Sequence, residues 1–236
     1  MKTWAAVVVA AGLISPARAQ YTQQGGKLVG TGAVARLGPC LSGTGTPMGG
    51  GQGGWVGVSS DGNTLVTGAN VDPPQGAAWV FARSNGVWSQ QGAKLVGTGT
   101  VGTSTAGVAR ISGDGNTIIV GGPNDNLSVG NAGAAWIFTR SNGVWSQQGN
   151  KLVPRDSPSG AHFGFWTAIS GDGNTAIIGG PTDNNSNLSL NGAAWIFTRT
   201  NGVWSQQGDQ LVGSGVEGPF LGAFGSSQGT SVGSTE

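Results

Sequence analysis

The chain has 236 residues, of which 47 are glycine and only 9% are charged, with nine tryptophans and a formal net charge of +1. That composition excludes a helical bundle, and the near-zero charge excludes the basic footprint of a nucleic-acid binder. The aromatic content and a mean hydropathy of −0.05 exclude a disordered chain. Turn-rich β structure remains, in one large domain or two small ones.

At the N-terminus, Lys2 precedes the uncharged run Trp4–Ile14, Ser15-Pro16 breaks it, and Ala17-Arg18-Ala19 offers a small-x-small cleavage site. This order predicts a signal peptide over residues 1–19, cut before Gln20, with a buried first strand as the alternative. The run falls short of the about 20 apolar residues that a membrane span takes. The mature chain is expected to be secreted, extracellular or periplasmic, with no membrane span. A lone Cys40 forms no internal disulfide.

Residues 20–236 are organised by an internal repeat. WSQQGAKLVG begins at Trp88, WSQQGNKLVP at Trp145 and WSQQGDQLVG at Trp204, with a fourth version, YTQQGGKLVG, at Tyr21. VSSDGNTLVTGAN from Val58 recurs as ISGDGNTIIVGGP from Ile111 and ISGDGNTAIIGGP from Ile169. GAAWVFARSNGVW from Gly76 recurs from Gly133 and Gly192.

Each unit divides into four strands. In the third, the first strand runs from about Phe163 to Ser170, a tight turn follows at Gly171–Asn174, and the second strand is Thr175–Gly179. A polar loop over 181–191 leads to a third strand, Ala193–Arg199. Asn201-Gly202 then makes a type I′ hairpin turn, and the fourth strand starts at Trp204 and ends near Val212. Four antiparallel strands in a repeat of this length match one β-propeller blade, whereas a β-helix repeats at shorter intervals and a sandwich does not repeat. The predicted fold is an all-β propeller of about three full blades, near 52–97, 105–154 and 162–213. An orphan N-terminal strand precedes them at Tyr21–Val29, and a remnant of a fourth blade follows over 220–236.

The tryptophans outside the leader fall at equivalent places: Trp55 and Trp166 in first strands, Trp79, Trp136 and Trp195 in third strands, Trp88, Trp145 and Trp204 opening fourth strands. A position repeated in every unit points to packing between blades, so the first-strand and third-strand sets are expected in the core. The fourth-strand set, on outer strands, is expected to be partly exposed.

Phe163-Gly164, Ala168–Thr175, Gly179-Gly180-Pro181 and Gly192–Phe197 together resemble the FG-GAP repeat, especially its bacterial form. The resemblance covers about Tyr21 to Phe224. It implies the propeller built by integrin α subunits and by exported bacterial proteins, and an interaction or adhesion role more often than catalysis. The Phe-Gly pair is missing from the first unit, where Gln52-Gly53 stands, and from the second, where Thr105-Ala106 does. It returns at Phe224-Gly225 without a following DGNT turn. Because propellers close with about 4–8 blades, the chain is expected to be a piece of a larger propeller or one half of a homodimeric ring.

Integrin-type repeats often bind calcium through loops with several aspartates. Here each corresponding turn holds one, Asp61, Asp114 or Asp172, so calcium there is a weak expectation and no other cofactor is implied. A single histidine, His162, and one cysteine support neither a zinc site nor a triad, and no enzymatic activity is expected.

The first-to-second and third-to-fourth turns are nearly identical between units and share one rim. The second-to-third loops and the blade-to-blade connections share the other rim and differ. A ligand is expected on this variable rim, with Asp125, Arg155, Asp156, His162 and Asp183 as its polar contacts. The leading function is a secreted, non-catalytic module that binds a protein partner at the cell surface. A glycan-binding lectin is the alternative if Trp88, Trp145 and Trp204 are exposed, and a truncated fragment without independent function is another.

Overall fold

A computed structural model of the chain describes residues 23–32, 52–69, 72, 76–101, 108–125, 132–156, 160–182 and 192–213. The leader, Cys40, Asp183 and the fourth-blade remnant lie outside these residues. All regular structure among the described residues is strand. The first blade comprises β1 (Trp55–Val58), β2 (Thr64–Ala69), β3 (Ala77–Ser84) and β4 (Val87–Gln90). The second comprises β5 (Val108–Ile111), β6 (Thr117–Gly122), β7 (Ala134–Ser141) and β8 (Val144–Gln147). The third comprises β9 (Trp166–Ile169), β10 (Thr175–Gly180), β11 (Ala193–Thr200) and β12 (Val203–Leu211). Each blade is a four-stranded antiparallel sheet with its strands in chain order, so the described residues form an all-β array of three propeller blades.

The hairpins follow from their turn residues. Asn85, Asn142 and Asn201 take φ near +50°, and the glycine after each is also at positive φ, the pairing that a type I′ turn requires. Phe163-Gly164 precedes β9 instead of belonging to it, and Phe163 makes a parallel bridge to Gly133 of the second blade.

Blades stack face to face through the period-two alternation of their strands. Val66, Ala78 and Val80 of the first blade pack on Ile118, Val120, Trp136 and Phe138 of the second. Ile119, Ala135 and Ile137 of the second pack in turn on Ala176, Ile178, Trp195 and Phe197 of the third. Trp79, Trp136 and Trp195 are fully buried, as the repeat pattern requires. Truncating one to alanine would cost about 3–5 kcal/mol.

Each buried indole is covered by the chain leaving the preceding unit. The Trp136 indole N–H donates to the Thr98 carbonyl at 2.8 Å while Gly97 lies flat on the ring, and a Cβ there would sit 2.5 Å from Trp136 Cδ2. The Trp79 indole donates to the Thr31 carbonyl at 3.0 Å, beneath Gly30. The segment from Tyr21 is therefore not the expected strand. Its described residues, from Gln23 onward, carry no ladder, and no described third strand lies beside them. They nonetheless cover the first blade, with Leu28 against the cluster of Trp79 and Phe81.

Trp166 also departs from expectation: it is 51% exposed. It lies on the face of the third blade that a following blade would cover, together with Ile177, itself 43% exposed. Trp55, its counterpart in the first blade, is half-buried and meets Trp166 edge-on at 5.4 Å between ring centres.

Gly97→Ala should lower stability by roughly 1–3 kcal/mol through overpacking against Trp136. Gly171→Ala, whose Cβ meets nothing within 4 Å, should leave it unchanged. Urea unfolding followed by tryptophan fluorescence checks the pair.

Candidate functional site

The two rims differ in how their polar groups are used. On the turn rim, Asp61 accepts from the Ser59 hydroxyl, from the Asn63 backbone N–H at 2.9 Å and from the Asn63 side chain at 3.2 Å. Asp172 repeats all three bonds with Ser170 and Asn174, and Asp114 bonds Ser112 and the Asn116 N–H. These bonds hold Asp61 below the usual carboxylate range, the Ser59 hydroxyl first among them. The Ser170 hydroxyl and the Asn174 N–H bring Asp172 down to about 2. The turns are also joined across blades, since Ser60 N–H donates to Gly113 O at 2.9 Å and Asp114 N–H to Gly171 O at 2.8 Å. The three carboxylates thus close their own turns, and among the described residues no three His, Cys, Asp or Glu side chains gather as a metal would need.

Next to these turns, Arg83, Arg140 and Arg199 lie over Trp88, Trp145 and Trp204 at 5.4, 5.3 and 5.5 Å from the ring centres. Arg140 and the Trp145 indole share Gln91 of the preceding blade, and Arg199 and Trp204 share Gln148 in the same way. Gln24 takes this place for Arg83. The fourth-strand tryptophans are therefore half-buried, each with a guanidinium already on one face.

The variable rim is held from within. Lys94 pairs with buried Asp72, and Lys151 pairs with Asp125, which is fully buried and also accepts from Val101 N–H at 2.8 Å. Asp125, expected as a ligand contact, is thus an internal anchor of its loop. Its partner was legible in the sequence, since Lys27, Lys94 and Lys151 recur in a chain with few charges.

The third unit breaks this pattern. Pro154 stands where Gly97 does in the second, and the Trp195 indole donates to Asp156 Oδ1 at 2.9 Å instead of to a backbone carbonyl. Asp156 also accepts from Gln206 Nε2 and from Gln210 N–H. Partial burial pushes its carboxyl up, but the bonds from Gln206, Gln210 and Trp195 outweigh this and hold it below its ordinary value. Asp156, half-buried, is therefore also a structural acceptor.

Arg155 is exposed, pairing with Asp209 at 3.1 Å and donating to Gly208 O at 2.8 Å. His162 sits at φ +53°, its Nδ1 between Gly160 O and the Thr182 hydroxyl. The structure gathers Arg155, Asp209 and Asp156 at one edge of the rim. The sequence reading missed a second group, Trp166, Trp55 and Phe165, with Arg110 5.7 Å over Trp55. Its signal was the loss of a third first-strand tryptophan, since Val108 takes the equivalent register position.

The FG-GAP repeat family matches residues 145–197, from the fourth strand of the second blade to the third strand of the third. Over these residues the chain is similar to one FG-GAP repeat. No curated protein matches it in sequence. Among solved structures, a Bacteroides fragilis protein assigned as a 6-phosphogluconolactonase is similar at 15% identity and a TM-score of 0.46, over 70% of this chain and 40% of that one. TolB from Acinetobacter baumannii follows at 14% and 0.36, over 64% and 31%, and the periplasmic gluconolactonase of Pseudomonas aeruginosa at 16% and 0.29, over 70% and 59%. The chain spans less than two thirds of each of them. At these TM-scores the likenesses say nothing about activity.

With Asp172 depressed in the folded state, its contribution to stability is complete above its unfolded value of about 3.9 and is lost as pH falls through about 2. Carboxyl NMR should show Asp172 titrating near the lower value, and Asp172→Asn should flatten the loss of stability over that window.

Proposed function

We propose that this chain is an exported, non-catalytic binding module that holds a protein partner at the cell surface through its variable rim. The observation that carries the reading is the contrast between the rims. The turn rim repeats one closed hydrogen-bond network in every unit, whereas the third unit replaces Gly97 and Thr98 by Pro154 and Arg155 and presents an exposed ion pair. Sequence differences that leave the scaffold intact collect where binding residues do. Export is supported by Lys2, the Trp4–Ile14 run and Ala17-Arg18-Ala19. A non-catalytic role is supported by the bonds that tie Asp61, Asp114, Asp125, Asp156 and Asp172 into the scaffold.

A second reading, glycan binding, is favoured by one observation: half-exposed Trp166 edge-on to Trp55 with Arg110 beside them. A glycan array with tryptophan quenching separates the two readings.

Arg155→Ala combined with Asp209→Ala removes an exposed pair worth about 0–1 kcal/mol to folding, so the fold stays intact. Retention of protein-coated beads on intact cells should fall at least about tenfold, a loss of ~1.4 kcal/mol. Retention equal to that of the unmodified protein would contradict the rim assignment.

A further inference from the structure

The third blade ends the described array with a face built to be covered. In the second blade, Ile119, Ala135 and Ile137 of this face are fully buried. Their counterparts by sheet register, Ile177, Ala194 and Ile196, are exposed or half-buried. Part of the cover on the second blade is Phe163-Gly164. Phe163 N–H donates to Ala132 O at 3.0 Å, and its ring lies 5.3 Å from Trp195 and 5.9 Å from Phe197 within the cluster that holds Ile119, Ala135 and Ile137. The approach is close enough to require glycine beneath it: a Cβ on Gly121 would sit 2.0 Å from Gly164 O.

At the equivalent Gly179, the atoms nearest a Cβ would all belong to the third blade's own Trp166, its Cβ at 3.4 Å, an ordinary contact. Gly179 thus keeps a clearance that nothing described on that face uses. Beyond β12 the chain carries Gly222-Ala223-Phe224-Gly225, and Val212 precedes Phe224 at a spacing close to that of Val153 from Phe163.

We propose that Phe224-Gly225, outside the described residues, docks on the open face of the third blade as Phe163-Gly164 docks on the second, its ring against Ile177, Ala194 and Ile196. The glycine clearance, the apolar bed and the matching pair at a similar spacing favour this occupant over a second copy of the chain. A second copy would offer the opposite face of its first blade, where Trp79 and Phe81 are already buried beneath Leu28 and Gly30.

The test is fluorine NMR of the full chain labelled with 4-fluorophenylalanine, which reports its 7 phenylalanines. Phe224→Leu assigns the Phe224 resonance. In the unmodified protein that resonance should be displaced from the position of free fluorophenylalanine and unchanged on dilution. Gly179→Ala should return it to the free position while the Phe163 and Phe197 resonances stay in place. Three results would overturn the proposal: a Phe224 resonance already at the free position, one that returns there on dilution (a second copy), or one that Gly179→Ala does not move. Should Gly179→Ala impair folding, the unmodified chain alone decides through the first two.

Discussion

The array depends on one contact made between units: the buried third-strand tryptophan lies under the chain that leaves the preceding unit. A single sheet of four strands buries too little to stand alone, so each blade draws its stability from its neighbours. The indole gives this junction direction, because its ring demands an apolar cover and its N–H demands an acceptor. Gly30 with Thr31 and Gly97 with Thr98 meet both demands by backbone alone. In the third unit Pro154 fills the glycine position and Asp156 supplies the acceptor. A carboxylate is thereby fixed at a place where the other units need none.

That dependence explains how an N-terminal segment without a ladder holds its position. Leu28, Gly30 and Thr31 do for the first blade what Leu95, Gly97 and Thr98 do for the second, and Gln24 reaches Arg83 as Gln91 reaches Arg140. The segment thus makes the contacts that a preceding blade's outgoing chain makes elsewhere. At the far side, the third blade shows the same junction half made, with Trp166 and Ile177 in the open.

Much of this was legible in the sequence because repetition encodes it. The Asn-Gly turns, the Ser-Asp-Asn turns and the third-strand indoles each recur in phase, and each has one physical reading. Exposure of Trp166 was not legible, since it depends on whether a neighbour covers the blade and not on the residue. The roles of Asp125 and Asp156 were hidden for a related reason. A loop carboxylate reads as a surface group until Lys151 or the Trp195 indole is seen to point at it. Arg155 kept its exposed place, and it marks where the third unit departs from its siblings.

The N-terminal segment should seal the first blade as an internal connection would. Hydrogen exchange of the tryptophan indole N–H groups, resolved by nitrogen-15 NMR, measures this without altering the chain. Trp79 should exchange as slowly as Trp136, and far more slowly than half-exposed Trp166. A Trp79 indole that exchanges as fast as Trp166 would contradict the account, because the first blade would then be open where the structure closes it.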